Sequence, residues 1–267
     1  MYAAWRYRSD FAHPLWTTES SAQGWPFYYP EPPGASVRIV KDVQFARVDT
    51  LKLAMDVYIP ATESGPMPAL VLYSLFWPPD KPGRESNTWL HSWARIAAAN
   101  GIVAIIPDLR AEPGTGTATT PSRPLGDDFE RFLTYVTNHS AEFKINRDRL
   151  VLFASSGAVW PGFSAVEDPR RTEIKAAVMY YGASTFTAFR SDLPVLYVRA
   201  GMDSRGTNDA FDRLVGLALA QNAPITAINH PAGRHGFEGR SDNAITRQII
   251  DQTIQFIKRA TESKSVY

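Results

Sequence analysis

The stretch LVLFASSGA at residues 150–158 is a short apolar run followed at once by small and polar residues. An apolar run of this length is typical of a strand that is buried on both faces of a sheet. Ala154, Gly157 and Ala158 are small enough to let the chain turn sharply around Ser156, from the strand into a helix. Such a turn lifts the hydroxyl of Ser156 above the sheet and places a helix N-terminus behind it. We therefore predict that Ser156 lies at the carboxyl end of a central strand.

The segments on either side of this stretch alternate between strand and helix patterns. Two alternating segments, which begin at Val37 and Leu51, predict an antiparallel pair of strands. Apolar strand-like runs cover residues 69–73, 102–107, 150–154, 176–181, 194–198 and 225–229, and helical spacing covers residues 87–100, 127–138, 157–166, 208–221 and 244–259. Strands that alternate with helices predict βαβ crossovers. The predicted fold class is α/β, with a mainly parallel sheet of eight strands, the first of them antiparallel, and helices on both faces.

Two segments of different composition make up the 267 residues. Residues 1–35 are rich in aromatic residues and proline and show no periodicity. We expect this N-terminal arm to pack on the body, either as cover for the core or as part of a pocket wall. Residues 36–267 form the body. Only 11 residues, 183–193, separate Gly182 from the next predicted strand, so we expect no large cap domain.

Composition and charge argue against several classes of function. The net charge of +1 gives no electrostatic footprint for nucleic acid as a partner. The chain has no cysteine and no H-E-x-x-H motif, so we expect no metal and no cofactor. Its longest apolar runs fall far below the ~18 residues needed for a membrane span. Arg6, Arg8, Asp10 and His13 interrupt any signal-peptide core, and we expect a cytoplasmic protein.

Asp203 and His235 are the candidates to act with Ser156. A serine hydroxyl is a poor nucleophile unless an imidazole accepts its proton and a carboxylate orients that imidazole. Asp203 follows the strand-like run that begins at Pro194, and His235 lies in the loop between the last predicted strand and the last helix. Because chemistry in such a sheet lies outside the carboxyl ends of its strands, we expect the three side chains to share one edge.

Three other residues are alternative candidates for the same roles. Ser155 is the alternative nucleophile, but a turn centred on it would place Phe153 where a small residue is required. Asp209 falls inside a predicted helix and is better explained as a surface charge. His230 ends a predicted strand and is better explained as a rim or packing histidine.

The chain order Ser156, Asp203, His235 resembles that of the α/β-hydrolase family, in particular its carboxylesterase and dienelactone hydrolase-like branches. The resemblance covers about residues 37–260 and rests on residues 154–158, 200–203 and 235–237 and on Asp127 and Asp128 before the segment 146–150. It implies Ser156 as the nucleophile, His235 as general base and then acid, and Asp203 as the orienting carboxylate. Because dienelactone hydrolases use a cysteine at the turn, the serine esterase branch is the better match.

The resemblance also implies an oxyanion hole made of backbone N–H groups. Gly157 would supply one of them, and Leu75 or Phe76 the other. Esterases of this family usually carry His-Gly after the third strand, whereas this chain reads SLFW at residues 74–77. Bulky residues therefore stand where glycine is usual.

Three aromatic residues near the predicted site are the expected walls of a substrate pocket. These are Phe76, Trp77 and Trp160, and the alternative is that their rings face the core instead. Large rigid rings narrow an acyl pocket and offer good contact to a compact ester. We therefore expect a short acyl chain or a small aryl group in the substrate.

The function implied by the resemblance is hydrolysis of small carboxylic esters through an acyl-enzyme, with residues 36–267 as the catalytic domain. The expected partner is a small-molecule ester, and the sequence leaves a homo-oligomer open. One alternative is a peptidase of the acyl-aminoacyl or prolyl type, although such proteins usually add a β-propeller that 35 residues cannot supply. The other is a catalytically silent binding protein of the same fold, which the missing His-Gly favours.

Overall fold

The computed structural model describes residues 36–61, 65–75, 84, 87–110, 123–159, 164–184 and 188–262. The N-terminal arm, residues 1–35, lies outside the described residues. The strands are β1 (Val37–Val48), β2 (Leu51–Pro60), β3 (Met67–Leu72), β4 (Ser74–Leu75), β5 (Val103–Leu109), β6 (Ile145–Ser155), β7 (Ile174–Tyr180), β8 (Val195–Ala200) and β9 (Ile225–His230). The helices are α1 (Thr88–Ala99), α2 (Arg123–Asn138), α3 (Ser164–Glu167), α4 (Arg205–Ala220) and α5 (Ala244–Thr261), and 3-10 turns cover Ser156–Ala158 and Phe237–Gly239.

The strands form a mixed sheet with β6 near its centre. The order across the sheet is β1-β2-β5-β3-β6-β7-β8-β9, and β4 pairs with β5 outside this path. The pairs β1 with β2 and β2 with β5 are antiparallel. The remaining neighbours are parallel. The predicted sheet of eight strands with antiparallel first strands is thus confirmed.

The segment after β3 contains a strand that the sequence pattern does not predict. Ser74 and Leu75 form β4 and pair in parallel with Asp108 and Leu109 at the end of β5. The pairing keeps the register that β3 has with β5, so β4 prolongs the same ladder after a short break. A strand of two residues shows no periodicity, and the sequence pattern could not reveal it.

The longer helices lie where their apolar spacing predicts them, and side-chain caps begin α4 and α5. The side chain of Ser204 accepts the N–H of Thr207 at 3.1 Å, which begins α4 three residues earlier than expected. Asn243 accepts the N–H of Thr246 at 2.9 Å in the same way and begins α5. No helix in the described ranges has the length and hydropathy of a transmembrane span.

The helix predicted over residues 157–166 begins as a 3-10 turn rather than as an α-helix. Its described remainder is α3, a single turn. Residues 160–163, between the two, lie outside the described part of the chain.

Apolar side chains form one core on each face of the sheet. Alternate strand residues point to opposite faces, so Leu70 and Leu72 of β3 enter one core while Ala69 and Val71 enter the other. Side chains of α1 and α5 cover the first face, and those of α2 and α4 cover the second. The sheet therefore carries helices on both faces, as predicted.

The connection from β7 to β8 is short. β7 ends at Tyr180 and β8 begins at Val195. A span of this length cannot hold a cap domain, in agreement with the prediction. Only a short connection therefore follows the carboxyl end of β7.

Candidate active site

Ser156 lies at a sharp turn between β6 and the first 3-10 turn. Its φ angle is 52°, in the left-handed region that residues with a side chain seldom adopt. Ser155, one residue earlier, still has the extended backbone of the strand, with φ −137° and ψ 155°. The chain therefore changes direction at one residue, and Ser156 stands half-buried at the carboxyl edge of the sheet.

Asp203 and His235 lie on two turns that follow β8 and β9. Both strands end at the same edge of the sheet as β6, because β6 to β9 are parallel neighbours. Two backbone hydrogen bonds, each 2.8 Å long, join the turns: the N–H of Gly201 donates to His230 and the N–H of Met202 donates to Gly233. The two turns are thereby fixed relative to each other.

The three side chains are hydrogen-bonded in series. Nδ1 of His235 lies 2.6 Å from Oδ2 of Asp203, and Nε2 lies 2.8 Å from Oγ of Ser156. An ionised carboxylate only accepts hydrogen bonds, so Nδ1 carries the hydrogen and Nε2 is left to accept from the serine hydroxyl. The second oxygen of Asp203 accepts the N–H of Ser204 at 2.7 Å. The side chain of Asp203 is 7% exposed and that of His235 is 32% exposed, so solvent reaches the imidazole more easily than the carboxylate.

The alternative residues do not take part in this series. Ser155 is buried at the end of β6. Asp209 pairs with Arg205 on the surface of α4 at 3.6 Å. His230 is buried, and its Nε2 lies 3.1 Å from Oγ1 of Thr246. The structure brings together the predicted Ser156, Asp203 and His235 and leaves these three apart.

Several solved structures share this architecture. No protein-family model and no curated protein sequence matches the chain. A bacterial heroin esterase superposes with a TM-score of 0.63 at 13% identity over 86% of each chain. A thermophilic carboxylesterase from a metagenomic library reaches 0.65 at 15% identity, over 88% of this chain and 92% of that one. An esterase of the archaeon Pyrobaculum calidifontis reaches 0.62 at 16% identity, over 86% of this chain and 84% of that one.

The chain has the α/β-hydrolase fold. At identities this low, the superpositions establish the fold alone. The reaction has to be argued from the side chains. In an α/β-hydrolase fold the nucleophile stands on a strained turn after a central strand, and the acid and the histidine follow in that order. Ser156, Asp203 and His235 have these positions along the chain.

The expected oxyanion donors of this α/β-hydrolase fold are partly described. Gly157 follows Ser156 in an open position, because a β-carbon built there meets no atom within 4 Å. Leu75 ends β4, and its pairing with Leu109 holds its backbone at the carboxyl edge of the sheet. Phe76 lies outside the described residues, as do the other expected pocket residues, Trp77 and Trp160. The oxyanion hole and the pocket walls stay predictions.

Two further residues, which belong to no sequence motif, lie close to the imidazole. The rings of Tyr181 and His235 have centroids 4.7 Å apart and planes inclined by 56°. The hydroxyl of Tyr181 donates to Oε1 of Glu238. Burial raises the pKa of the Glu238 carboxyl, and burial together with the Glu238 charge raises the pKa of Tyr181. The one sequence signal for Glu238 is an acidic residue placed three positions after the candidate base.

A second buried polar cluster joins β2 and β5. The guanidinium of Arg84 lies 2.8 Å from Asp56, 3.0 Å from Asp42 and 3.2 Å from Asp108. Asp56 and Asp108 are buried, and a buried carboxylate is costly unless it is paired. Arg84 therefore compensates the charges of two neighbouring strands.

Proposed function

We propose that this protein is a serine hydrolase that cleaves carboxylic esters through an acyl-enzyme. The proposal rests on one observation, the hydrogen-bond series of 2.6 Å from Asp203 to His235 and 2.8 Å from His235 to Ser156. It supplies a nucleophile, a base within reach of the nucleophile's proton and a carboxylate that orients the base. The proteins that share the fold include esterases, which supports an ester as the substrate.

In the acylation step, Oγ of Ser156 attacks the carbonyl carbon of the ester while Nε2 of His235 takes the hydroxyl proton. The new Oγ–C bond pushes the carbonyl electron pair onto oxygen. Asp203 stays ionised and stabilises the imidazolium through Nδ1. The tetrahedral intermediate then expels the alcohol, whose oxygen receives the proton back from His235.

The second half of the reaction repeats these transfers with water. His235 accepts a proton from a water molecule, which attacks the acyl carbon. The Oγ–C bond then breaks, the acid is released and Oγ of Ser156 takes the proton back from His235. In both halves the developing oxyanion accepts hydrogen bonds from the N–H of Gly157 and from that of Leu75 or Phe76. A backbone N–H serves this purpose whatever its side chain, so the SLFW sequence does not preclude the hole.

The substrate we propose is a small ester. Between β7 and β8 the chain has no inserted cap that would cover a long acyl chain. The sequence places Phe76, Trp77 and Trp160 near the ends of the strands that carry the site, where bulky rings limit the space for an acyl group.

Labelling with a fluorophosphonate tests the proposal directly, because this reagent phosphonylates a serine only where a base activates it. We expect stoichiometric labelling of Ser156, located by peptide mass analysis, and no labelling of Ser156→Ala. A folded wild-type protein that stays unlabelled would reject the hydrolase and favour a binding protein of the same fold.

A further inference from the structure

Tyr181 connects β7 to the turn that carries the proposed base. It follows the last residue of β7, and its N–H donates to the carbonyl oxygen of Val198 at 2.7 Å. Its ring packs on the imidazole of His235 with 4.7 Å between centroids. The residue is buried, so the ring has little freedom to leave this contact. Tyr181 therefore ties the imidazole to the rigid sheet.

The backbone of Tyr181 is strained. Its φ angle is 33°, and a bulky residue rarely adopts a positive φ. Strained residues persist where the surroundings over-determine them, and they concentrate at functional sites. The hydrogen bond to Val198 fixes the main chain here, and the contacts of the side chain fix the ring.

Glu238 holds the other end of the Tyr181 side chain. The residue is 1% exposed, and Oε1 accepts the hydrogen of the Tyr181 hydroxyl. Glu238 lies in the 3-10 turn that begins two residues after His235. The Tyr181 side chain is thus held between two parts of one turn, with the imidazole beside its ring and the carboxyl at its hydroxyl.

We propose that Tyr181 and Glu238 are positioning residues for the proposed ester hydrolysis. Glu238 anchors the phenol, and the anchored ring keeps Nε2 of His235 directed at Ser156. Both residues act through His235 rather than on the substrate. The inference rests on the proposed function and extends it to two residues outside the hydrogen-bonded series.

Three variants test the inference through two readouts, the rate of fluorophosphonate labelling and the kcat and KM for p-nitrophenyl acetate. Tyr181→Phe keeps the ring and removes its anchor, and Glu238→Ala removes the acceptor. In both we expect the labelling rate and kcat to fall about tenfold, the effect of one lost hydrogen bond, while KM changes less than about twofold. Glu238→Gln still offers an amide oxygen to the phenol, and we expect it to stay within about threefold of the wild type.

Tyr180→Phe is the matched control. Tyr180 is the neighbouring tyrosine, also buried, and its hydroxyl bonds Oγ1 of Thr253 at 2.7 Å instead. Removing that hydroxyl deletes one buried tyrosine hydrogen bond without touching His235 or Glu238, and we expect kcat to be unchanged. Circular dichroism at the assay temperature corrects every rate for the folded fraction.

The outcomes separate this inference from the proposed function. Labelling of Tyr181→Phe at the wild-type rate, or equal loss in Glu238→Gln and Glu238→Ala, overturns the inference and leaves the hydrolase in place. A wild-type protein that is not labelled overturns both. Should Tyr181→Phe fail to fold, the comparison of the two Glu238 variants decides the question alone.

Discussion

Gly182 lies so close to Ser156 that a β-carbon built at Gly182 would stand 2.5 Å from the carbonyl oxygen of Ser156. The same β-carbon would stand 2.5 Å from Cγ2 of Val159. The sharp turn at the end of β6 therefore depends on the absence of a side chain just beyond the neighbouring strand β7.

This contact predicts that Gly182→Ala displaces the turn. We expect the free energy of unfolding to fall by about 2 kcal/mol, the usual cost of overpacking, and kcat/KM to fall with it. Urea unfolding and ester hydrolysis measure the two effects. Gly216→Ala is the control, because its β-carbon meets no atom within 4 Å on the exposed side of α4. In Gly216→Ala the free energy of unfolding should rise by about 0.5–1 kcal/mol. If the two variants show the same change in the free energy of unfolding and in kcat/KM, the turn can move to accept the side chain.

Ser156→Ala should abolish ester hydrolysis and leave the fold intact. Loss of a nucleophile that works with a base typically costs several orders of magnitude in kcat. Ser155→Ala, one residue earlier and buried in β6, should retain far more activity, since Ser155 is not hydrogen-bonded to His235. Hydrolysis of p-nitrophenyl acetate, with far-ultraviolet circular dichroism for the fold, measures both. Substantial activity in Ser156→Ala would reject the assignment of the nucleophile.

Asp203→Asn should disturb the orientation of His235 without disturbing the fold. The amide oxygen can still accept the N–H of Ser204, which Asp203 accepts at 2.7 Å, so the turn is preserved. The NH2 group cannot accept the hydrogen of Nδ1, and the imidazole then favours the wrong tautomer. We expect kcat to fall about 10³- to 10⁴-fold at unchanged thermal stability. An active variant would mean that the histidine is oriented by another group.

Glu167 should make stability depend on pH. Its side chain lines a small cavity with Val166, Leu193 and Val195, and burial raises its pKa from 4.5 to about 7. Because the folded pKa lies above the unfolded value, the fold prefers the neutral acid. The resulting stability is fully present below pH 4.5 and is lost as the pH rises to about 7.

Glu167→Gln removes this titration and should raise the free energy of unfolding at pH 8, by about 1 kcal/mol because the side chain is partly exposed to solvent. At pH 4 the variant should match the wild type. Urea unfolding at both pH values gives the comparison, with the exposed Glu142→Gln as the control for loss of a charge. A gain of the same size at both pH values would show that burial of the charge is not the cause.

The substrate preference follows from the aromatic residues that the sequence places near the site. We expect kcat/KM for p-nitrophenyl esters to be highest for acyl chains of about C2 to C6 and to fall for longer chains. Phe76→Ala and Trp160→Ala should relax the limit. A wild-type preference for chains of ~C12 or more would contradict the narrow pocket. Unchanged selectivity in both variants would assign the limit to other residues.

The sequence predicts those parts of the molecule that have a local signal. A strand buried on both faces must be apolar along its length, and the runs around Leu70, Ile105 and Leu152 showed this pattern. The series of Ser156, Asp203 and His235 could be anticipated because each follows a strand-like run and parallel strands end at one edge.

Residues whose role depends on contacts between distant segments could not be predicted in this way. Arg84 meets Asp56 and Asp108 only because β2 and β5 become neighbours. Tyr181 reads as the end of an apolar run, and Glu238 reads as a charge in a polar loop. Only the packing of β7 against the turn after β9 shows that the two are buried together.

The backbone hydrogen bonds between the turns after β8 and β9 make Asp203 and His235 parts of one mechanical unit. Ser156 belongs to a different unit, the sharp turn at the end of β6. The 2.8 Å contact between Nε2 of His235 and Oγ of Ser156 joins the two units. If heat or pressure separates the two units slightly, we expect Ser156 to lose its contact with His235 while Asp203 and His235 stay paired, so the proposed ester hydrolysis should be lost before the sheet unfolds.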